Sequence, residues 1–320
     1  MDWKDIPRRF FDRRSAPRRT TLPALAFEVG ASFVAGARLD RSSRRIKHIG
    51  IRQLPSNALP AGPPPHQDRL AGIRNSFAEL ASELGGAGGP LGLLLPDGMV
   101  RVASLTFETL PSSARESDAL IRWRLKDLLP YPPNEARISY EIVRNGAGPI
   151  EVVAMAARSS VLAEYESVME PLNGQLTLLL PVTAALLPLL PPATSAELLL
   201  HISGAGLTTV MVAGDRLLLW RHEPVDAVDQ LPQAATDEMV RVLASAQDRL
   251  KVEVRRAWLY AGPLSEEAWV ERLRETTDLE MNDLPCPPGY AAALPPDEQD
   301  LLTPYGMPFA GLIANRGSNP

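Results

Sequence analysis

One turn near the start of the chain combines an acidic side chain, a glycine and a hydroxyl. Glu28 is followed by Gly30 and Ser32 between two apolar runs. A glycine allows backbone N–H groups to approach a phosphate closely, and a serine hydroxyl can add a hydrogen bond to it. The same residues also suit a tight turn that binds no ligand. The pattern therefore leaves two interpretations open, a phosphate-binding turn and a purely structural hairpin.

Two glycines in the second half of the chain present the same choice. Gly204 and Gly262 each come at or just after the end of an apolar run. Either could bring the backbone close to a ligand, and either could only close a turn.

Several reaction classes find no support in the residue spacing. The sequence contains no G-x-x-x-x-G-K loop, and the glycine run at 85–92 includes no lysine. The single cysteine, Cys286, cannot form an intrachain disulfide, and the four histidines show no metal-ligand spacing. No Ser-His-Asp or Cys-His arrangement can be argued from the spacing. We therefore expect a reducing compartment, no metal site and no catalytic residue.

The charge is distributed unevenly along the chain. The first 50 residues carry 12 Lys and Arg against 5 Asp and Glu, a net charge of +7, and the remainder carries −12. This split excludes a uniformly basic nucleic-acid-binding protein, and we expect no nucleic-acid partner. Residues 1–22 suit a basic flexible arm, a contact with an anionic membrane surface, or docking on a partner. The aromatic and basic residues that would touch a membrane are Trp3, Arg8, Arg9, Phe10 and Phe11.

The hydrophobic pattern predicts two similar halves, each with strands followed by a helix. Three strands over 25–54 precede a helix at 69–84, and three strands over 197–221 precede a helix at 234–250. Both halves begin with an antiparallel meander, which indicates a duplicated α/β architecture. The uncharged stretch at 171–196 is long enough to span a bilayer, but prolines interrupt it, so we expect no membrane helix.

A smaller unit is predicted between the two halves. A strand at 100–107 and paired strands at 137–143 and 150–156 surround a helix that ends at Pro130. The apolar residues of this helix that we expect to face the core are Leu120, Trp123 and Leu128.

The repeated meander with an acidic-hydrophobic-Gly-small first turn resembles actin-like ATPases, which hold phosphates between their two first hairpins. The order of segments is similar to that of PilM, the actin-like family of the type IV pilus assembly machinery. The resemblance covers about residues 24–316. The stretches that carry it are 28–39, 95–101 with 126–143, 153–158 and 309–316.

The resemblance implies a fold and a division into domains. The fold would be α/β and actin-like, with two duplicated lobes of ribonuclease H type and an inserted small α+β subdomain. A basic arm at 1–22 would precede the first lobe at 23–192 and the second lobe at 193–320. The inserted subdomain would occupy about residues 108–158 of the first lobe.

Three departures from the family pattern bear on nucleotide binding. Glu28 replaces an aspartate and is one methylene longer, which misplaces a magnesium-bound water. The second hairpin has His201 where the family has a carboxylate, and Pro263, which lacks a backbone N–H, replaces a glycine on the adenosine side. We therefore expect weak or absent Mg-ATP binding and no required cofactor. The degenerate nucleotide site would consist of Glu28, Gly30, Ser32, Gly204 and Gly262.

The resemblance implies a cytoplasmic scaffold, peripheral on the inner membrane, and not an enzyme. Its partners would be the N-terminal peptide of a PilN-like single-pass membrane protein and, through the assembly complex, a PilB-like motor ATPase. The related type II secretion protein GspL has the same fold but continues into a membrane helix, which nothing after Arg316 suggests. The alternative is a catalytic actin-like ATPase or sugar-kinase relative in which Glu28 holds the metal.

Aromatic and basic residues of the inserted subdomain are the candidates for binding the partner peptide. Such residues are frequent in peptide-binding grooves. Trp and Tyr also serve as core residues, so both interpretations stay open. The candidates are Arg122, Trp123, Tyr131 and Tyr140.

Overall fold

Three β-sheets organise the chain in the computed structural model. The structure describes residues 22–40, 42–54, 67–86, 88–144, 148–214, 216–265 and 268–314. Two five-stranded sheets form the centres of two lobes, and a three-stranded sheet forms a smaller unit. The contact of the N-terminal arm with a membrane stays a prediction, because it falls outside the described residues. That prediction concerns Trp3, Arg8, Arg9, Phe10 and Phe11.

The first sheet is an antiparallel meander extended by two parallel strands. The meander consists of β1 (Leu25–Val29), β2 (Phe33–Asp40) and β3 (Arg45–Gln53). The strands β4 (Gly89–Leu95) and β8 (Gly174–Pro181) continue it parallel to β1, giving the order β3-β2-β1-β4-β8. All five residues of β1 are buried. A strand covered on both faces is mostly apolar instead of alternating, and Glu28 is the one polar residue of β1.

The helix α1 (Gln67–Glu83) connects β3 to β4 and packs on the first sheet. Its helical spacing places Ile73 and Phe77 on the buried face. The ring of Phe77 contacts that of Phe27 in β1, with the centroids 4.5 Å apart. The helix predicted at 69–84 is confirmed, and its packing holds the strand from which the first turn begins.

The second sheet repeats the order of the first. The strands β9 (Ala196–Ser203), β10 (Gly206–Ala213) and β11 (Arg216–Pro224) form an antiparallel meander. The strands β12 (Val254–Tyr260) and β13 (Glu280–Asp283) extend it in parallel. The order β11-β10-β9-β12-β13 matches the first sheet strand for strand. The predicted duplicated α/β architecture is therefore confirmed.

Two helices, α5 (Leu231–Ser245) and α6 (Ala268–Thr276), belong to the second lobe and contact each other. Glu238 of α5 is almost fully buried. Its carboxylate accepts hydrogen bonds from Arg221 of β11 and from Arg241. This buried ion pair lies entirely within the second lobe.

The small sheet is an insertion in the first lobe. It contains β5 (Arg101–Phe107), β6 (Ala136–Arg144) and β7 (Ile150–Arg158) in the order β5-β7-β6, with α2 (Ala114–Leu125) between β5 and β6. The insertion begins at Arg101, earlier than the boundary expected near residue 108. The reason is that β5 pairs with β7 and not with a strand of the lobe.

The buried face of α2 differs from the predicted one. Ser117, Ile121 and Leu125 face the interior, whereas Trp123 is 60% exposed and Leu128 is 52% exposed. The prediction was wrong for Trp123 and Leu128, whereas Leu120 is partly buried and packs against the core of the subdomain. The buried stripe includes a serine, which an apolar pattern does not reveal. Its hydroxyl donates to a backbone carbonyl, which allows a polar residue to be buried.

The helix α3 (Ser159–Met169) follows β7 and packs against α1. The apolar stretch at 171–196 comes next and contains a strand flanked by short helical segments. It contributes β8 and then α4 (Val182–Leu186), which is buried along its length. Among the residues that the structure describes, no helix is both long enough and apolar enough to cross a membrane.

The residues that follow the second sheet return to the first lobe. The helix α7 (Met307–Ile313) is buried over its whole length and packs against α4. The family resemblance placed residues 193–320 in the second lobe. The structure differs because the apolar run of α7 fills a gap in the first lobe's core.

The contact between α4 and α7 depends on Gly311, where a Cβ would collide with the carbonyl oxygen of Ala185. We expect Gly311→Ala to lower the free energy of unfolding by about 1–3 kcal/mol, because one helix backbone must move away from the other. Gly72 in α1 is the matched control, since a Cβ there lies 3.7 Å from the nearest atom, in the side chain of Leu54. Gly72→Ala should leave stability unchanged or raise it by about 0.5–1 kcal/mol. Urea unfolding measures both, and equal stability of Gly311→Ala and the unmodified protein would contradict this contact.

Candidate functional site

A cavity of about 110 Å³ lies between the two lobes, where the first hairpins of both sheets meet. Glu28, Gly30 and Ser32 reach it from the β1–β2 hairpin. Gly204 reaches it from the β9–β10 turn, and Gly262 from the end of β12. The structure thus brings all five predicted residues to one cavity, and their role in nucleotide binding stays a prediction.

The two hairpin turns touch each other directly. A Cβ on Gly204 would lie 3.0 Å from the Cβ of Ala31. A Cβ on Gly30 would overlap the ring of Phe33, which itself contacts Tyr305 edge-on with ring centroids 5.0 Å apart. Close packing of the hairpins therefore accounts for both glycines without a phosphate.

Arg69 of α1 fixes the first turn from inside its own lobe. The guanidinium donates to the carbonyl oxygens of Gly30 and Ala31 at 2.9 and 3.0 Å. The position of this turn is therefore set by protein contacts alone.

Glu28 lies at the cavity as a largely neutral acid. The residue is only 5% exposed, and among the described residues its Oε2 has no hydrogen-bond partner. Burial, together with the nearby charge of Asp97, raises the pKa of Glu28 to about 8. At neutral pH this carboxyl group is therefore mostly protonated, and a magnesium ion would have to displace its proton in order to bind there.

The ionised carboxylate of the cleft is Asp97, which the sequence patterns do not single out as a site residue. Thr183 donates to it from its backbone N–H at 2.9 Å and from its hydroxyl at 2.5 Å. His201 Nδ1 and the Thr208 hydroxyl lie 2.8 and 2.9 Å from Oδ2 of Asp97. Burial raises the pKa of Asp97, but hydrogen bonds from His201 and Thr183 and the charge of His201 outweigh it, so the net pKa is lowered. Both carboxylate oxygens are occupied by protein donors.

The network continues from Thr208 to His222. The hydroxyl of Thr208 has a single proton, which it donates to Asp97, so it accepts from Nδ1 of His222 at 2.9 Å. Burial lowers the pKa of His222, which favours a neutral ring with its proton on Nδ1. Among the described residues, Nε2 of His222 has no hydrogen-bond partner. The network thus runs from Thr183 through Asp97 and Thr208 to His222.

Two sequence signals pointed towards this network without revealing it. The carboxyl ends of parallel strands are where α/β folds place polar site residues, and Asp97 follows β4. His201 stands where the resembling family has a carboxylate. Each signal concerns a single lobe. The hydrogen bond between Asp97 and His201 becomes visible only when the two lobes are seen together.

The residues of the cleft do not fit Mg-ATP. Glu28 is mostly uncharged and both oxygens of Asp97 are occupied. Pro263 lines the cavity and offers no backbone N–H. Ligand pockets usually measure about 300–1,000 Å³, whereas this cavity measures about 110 Å³. Within the described part of the chain, no group of three or more His, Cys, Asp or Glu side chains is arranged to hold a metal ion.

Three of the four predicted partner-binding residues take part in packing. Arg122 donates to the carboxylate of Asp118 at 2.8 Å and to two backbone carbonyls in the loop before β6 and at its start. The guanidinium of Arg158 lies over the ring of Tyr131, 4.8 Å from its centroid. Tyr140 is half-buried on β6. Trp123 differs from these three because most of its side chain is exposed.

The duplicated sheet order, the inserted small sheet and the cleft between the first hairpins define an actin-like fold. A protein from Bacteroides thetaiotaomicron, described as having an actin-like ATPase fold and unknown function, is similar to this chain. The TM-score is 0.51 with 10% identity, over 86% of this chain and 95% of that chain.

A chain of the PilM–PilN type IV pilus biogenesis complex is more similar still. The TM-score is 0.76 with 18% identity, over 94% of this chain and 100% of that chain. The cytoplasmic domain of EpsL, an inner membrane component of the type II secretion system of Vibrio cholerae, reaches a TM-score of 0.45 with 10% identity, over 74% of this chain and 81% of that chain. No protein-family model and no curated protein sequence matches the chain. The chain therefore has the actin-like fold, in a form similar to that found in the PilM–PilN complex.

The buried acid at position 28 makes stability depend on pH. The pKa of Glu28 rises from 4.5 to about 8 on folding, so the folded protein keeps a proton that the unfolded chain has released. A rise in pH across this window therefore favours unfolding, by about 1.4 kcal/mol per pH unit for one group. Glu28→Gln keeps the shape of the side chain but cannot titrate.

We expect this substitution to flatten the fall in stability between about pH 5 and pH 8. Urea unfolding at several pH values and constant ionic strength measures the slope. A variant with the same slope as the unmodified protein would show that Glu28 is ionised in the folded state.

Proposed function

We propose that the protein is a scaffold of a type IV pilus assembly complex, peripheral on the cytoplasmic side of the inner membrane. It binds the N-terminal peptide of a PilN-like membrane protein and is linked through the complex to a PilB-like motor ATPase. The observation that supports this is the likeness to a chain of the PilM–PilN complex, which covers 94% of this chain and the whole of that one.

In this proposal the protein does not hydrolyse ATP. Phosphoryl transfer requires a metal held by carboxylates together with positioned donors for the phosphates. Here the acid at position 28 is mostly protonated, the carboxylate of Asp97 is fully occupied and the hairpins touch at Ala31 and Gly204. These features favour a protein that holds its partners over one that turns over a nucleotide.

The partner contact is assigned to a surface that we call the α2 patch, formed by Trp123, Arg124 and Leu128. Trp123 and Leu128 are two of the four large apolar side chains that are exposed in the described part of the chain. The guanidinium of Arg124 lies over the ring of Phe107, 5.8 Å from its centroid. Trp and Arg are the residue types most often found to dominate binding energy at interfaces.

The second candidate function is a catalytic actin-like ATPase or sugar-kinase relative that uses Glu28 for Mg-ATP. The observation in its favour is that Glu28, Gly30, Ser32, Gly204 and Gly262 all line one cavity. This function requires Glu28 to be ionised and the two turns to separate.

Calorimetric titration separates the two functions. We expect a peptide with the cytoplasmic N-terminal sequence of a PilN-like protein to bind, and Mg-ATP to give no binding heat. Trp123→Ala should weaken peptide binding about tenfold or more, a loss of about 1.4 kcal/mol, because it removes the largest exposed side chain of the α2 patch.

Val240→Ala is the matched control, because Val240 is 66% exposed on α5 of the second lobe, away from the α2 patch. Its affinity for the peptide should equal that of the unmodified protein. Mg-ATP binding with a dissociation constant near about 1 μM, or about −8 kcal/mol, would support the catalytic alternative. Unchanged peptide binding by Trp123→Ala would remove the α2 patch from the proposal.

A further inference from the structure

The Asp97 network joins the two lobes. Asp97 follows β4, and Thr183 belongs to α4, so both are part of the first lobe. His201 lies in the strand β9, and Thr208 lies in β10, so both are part of the second lobe. One carboxylate therefore accepts hydrogen bonds from both lobes at distances between 2.5 and 2.9 Å.

The burial of Asp97 makes these bonds difficult to break. Its side chain is 3% exposed, and that of His201 is 8% exposed. Separation of the lobes would remove His201 and Thr208 and leave the carboxylate with Thr183 alone. The closed arrangement gives this carboxylate charge-assisted hydrogen bonds from both lobes in an interior of low dielectric constant, so the network favours closure.

Two further side-chain contacts also join the second lobe to the first lobe or to its inserted subdomain. Arg216 of β11 donates to both carboxylate oxygens of Glu151 on β7, which ties the second lobe to the inserted subdomain. The hydroxyl of Tyr260 at the end of β12 donates to the carbonyl oxygen of Pro304 at 3.1 Å. Pro304 lies in the segment that leads into α7 in the first lobe.

The neutral state of Glu28 is compatible with this closure. Its raised pKa removes a second negative charge from the neighbourhood of Asp97 at neutral pH. The turns then meet at Ala31 and Gly204 with only 3.0 Å between one Cβ and the position of the other. The two first hairpins are therefore in direct contact beside the cavity.

From this geometry we infer that Asp97, with Thr183, His201 and Thr208, is an interlobe latch that holds the protein closed without any ligand. The latch replaces a bound nucleotide as the link between the lobes. The relative position of the lobes is then the same with and without Mg-ATP. This inference does not depend on which partner the protein binds.

A disulfide across the cleft tests the latch. In the double variant Ala31→Cys, Gly204→Cys the two Cβ atoms start about 3.0 Å apart, and a small shift brings them to the roughly 3.5–4.5 Å that a disulfide needs. Cys286, which is exposed, is first replaced by alanine so that it cannot react. In this background the bond should form under mild oxidation without nucleotide, at a rate that millimolar Mg-ATP does not change.

Asp97→Asn in the same background should slow the formation of the disulfide at least tenfold, because an amide cannot accept the same set of hydrogen bonds with a full charge. Thr208→Val removes one donor from the second lobe and should slow it by a smaller factor. Glu238→Gln is the matched control, since it alters a buried ion pair within one lobe. It should lower the thermal stability and leave the cross-linking rate unchanged.

Three results would overturn the latch. The first is a cross-link that forms only with Mg-ATP, or at least tenfold faster with it. The second is an unchanged rate in a folded Asp97→Asn variant. If that variant does not fold, an unchanged rate in Thr208→Val is the third. Circular dichroism establishes whether each variant is folded before its rate is compared.

Discussion

A buried carboxylate needs hydrogen-bond donors around it, and in this protein that requirement decides how the lobes meet. The donors to Asp97 come from Thr183 on one side and from His201 and Thr208 on the other. An ion in the interior is unfavourable unless such partners surround it. In the closed arrangement the two lobes together supply these donors. The small cavity and the contact between the two hairpin turns both accompany that closure.

Much of the fold is visible in the sequence because it depends on local patterns. The two meanders and α1 follow from strand and helix spacing, and the duplication brings Glu28 and Gly204 to one cavity. The strand β8 was missed, because a continuous apolar run does not distinguish a buried strand from a buried helix. The hydrogen bond between Asp97 and His201 could not be predicted. The two residues are 104 positions apart in sequence and belong to different lobes, so their contact depends on how the lobes meet.

The inserted subdomain shows the same limit on a smaller scale. Periodicity predicted a buried face that included Trp123, whereas the actual buried face includes Ser117, whose hydroxyl donates to a backbone carbonyl. The structure therefore leaves Trp123 at the surface. The bond between Arg216 and Glu151 ties the subdomain to the second lobe. Such ties suit a protein that presents one surface in a constant orientation.

The position of α7 has a consequence for the synthesis of the protein. This helix completes the core of the first lobe, against α4, although the whole second lobe lies between the two in sequence. While the chain emerges from the ribosome, the first lobe lacks this helix and leaves the apolar surface of α4 uncovered. The two lobes cannot then fold as independent units in order of synthesis, as domains often do. The first lobe therefore cannot complete its fold until the second lobe has been translated. During that interval the uncovered surface of α4 is a defined surface for chaperones to protect.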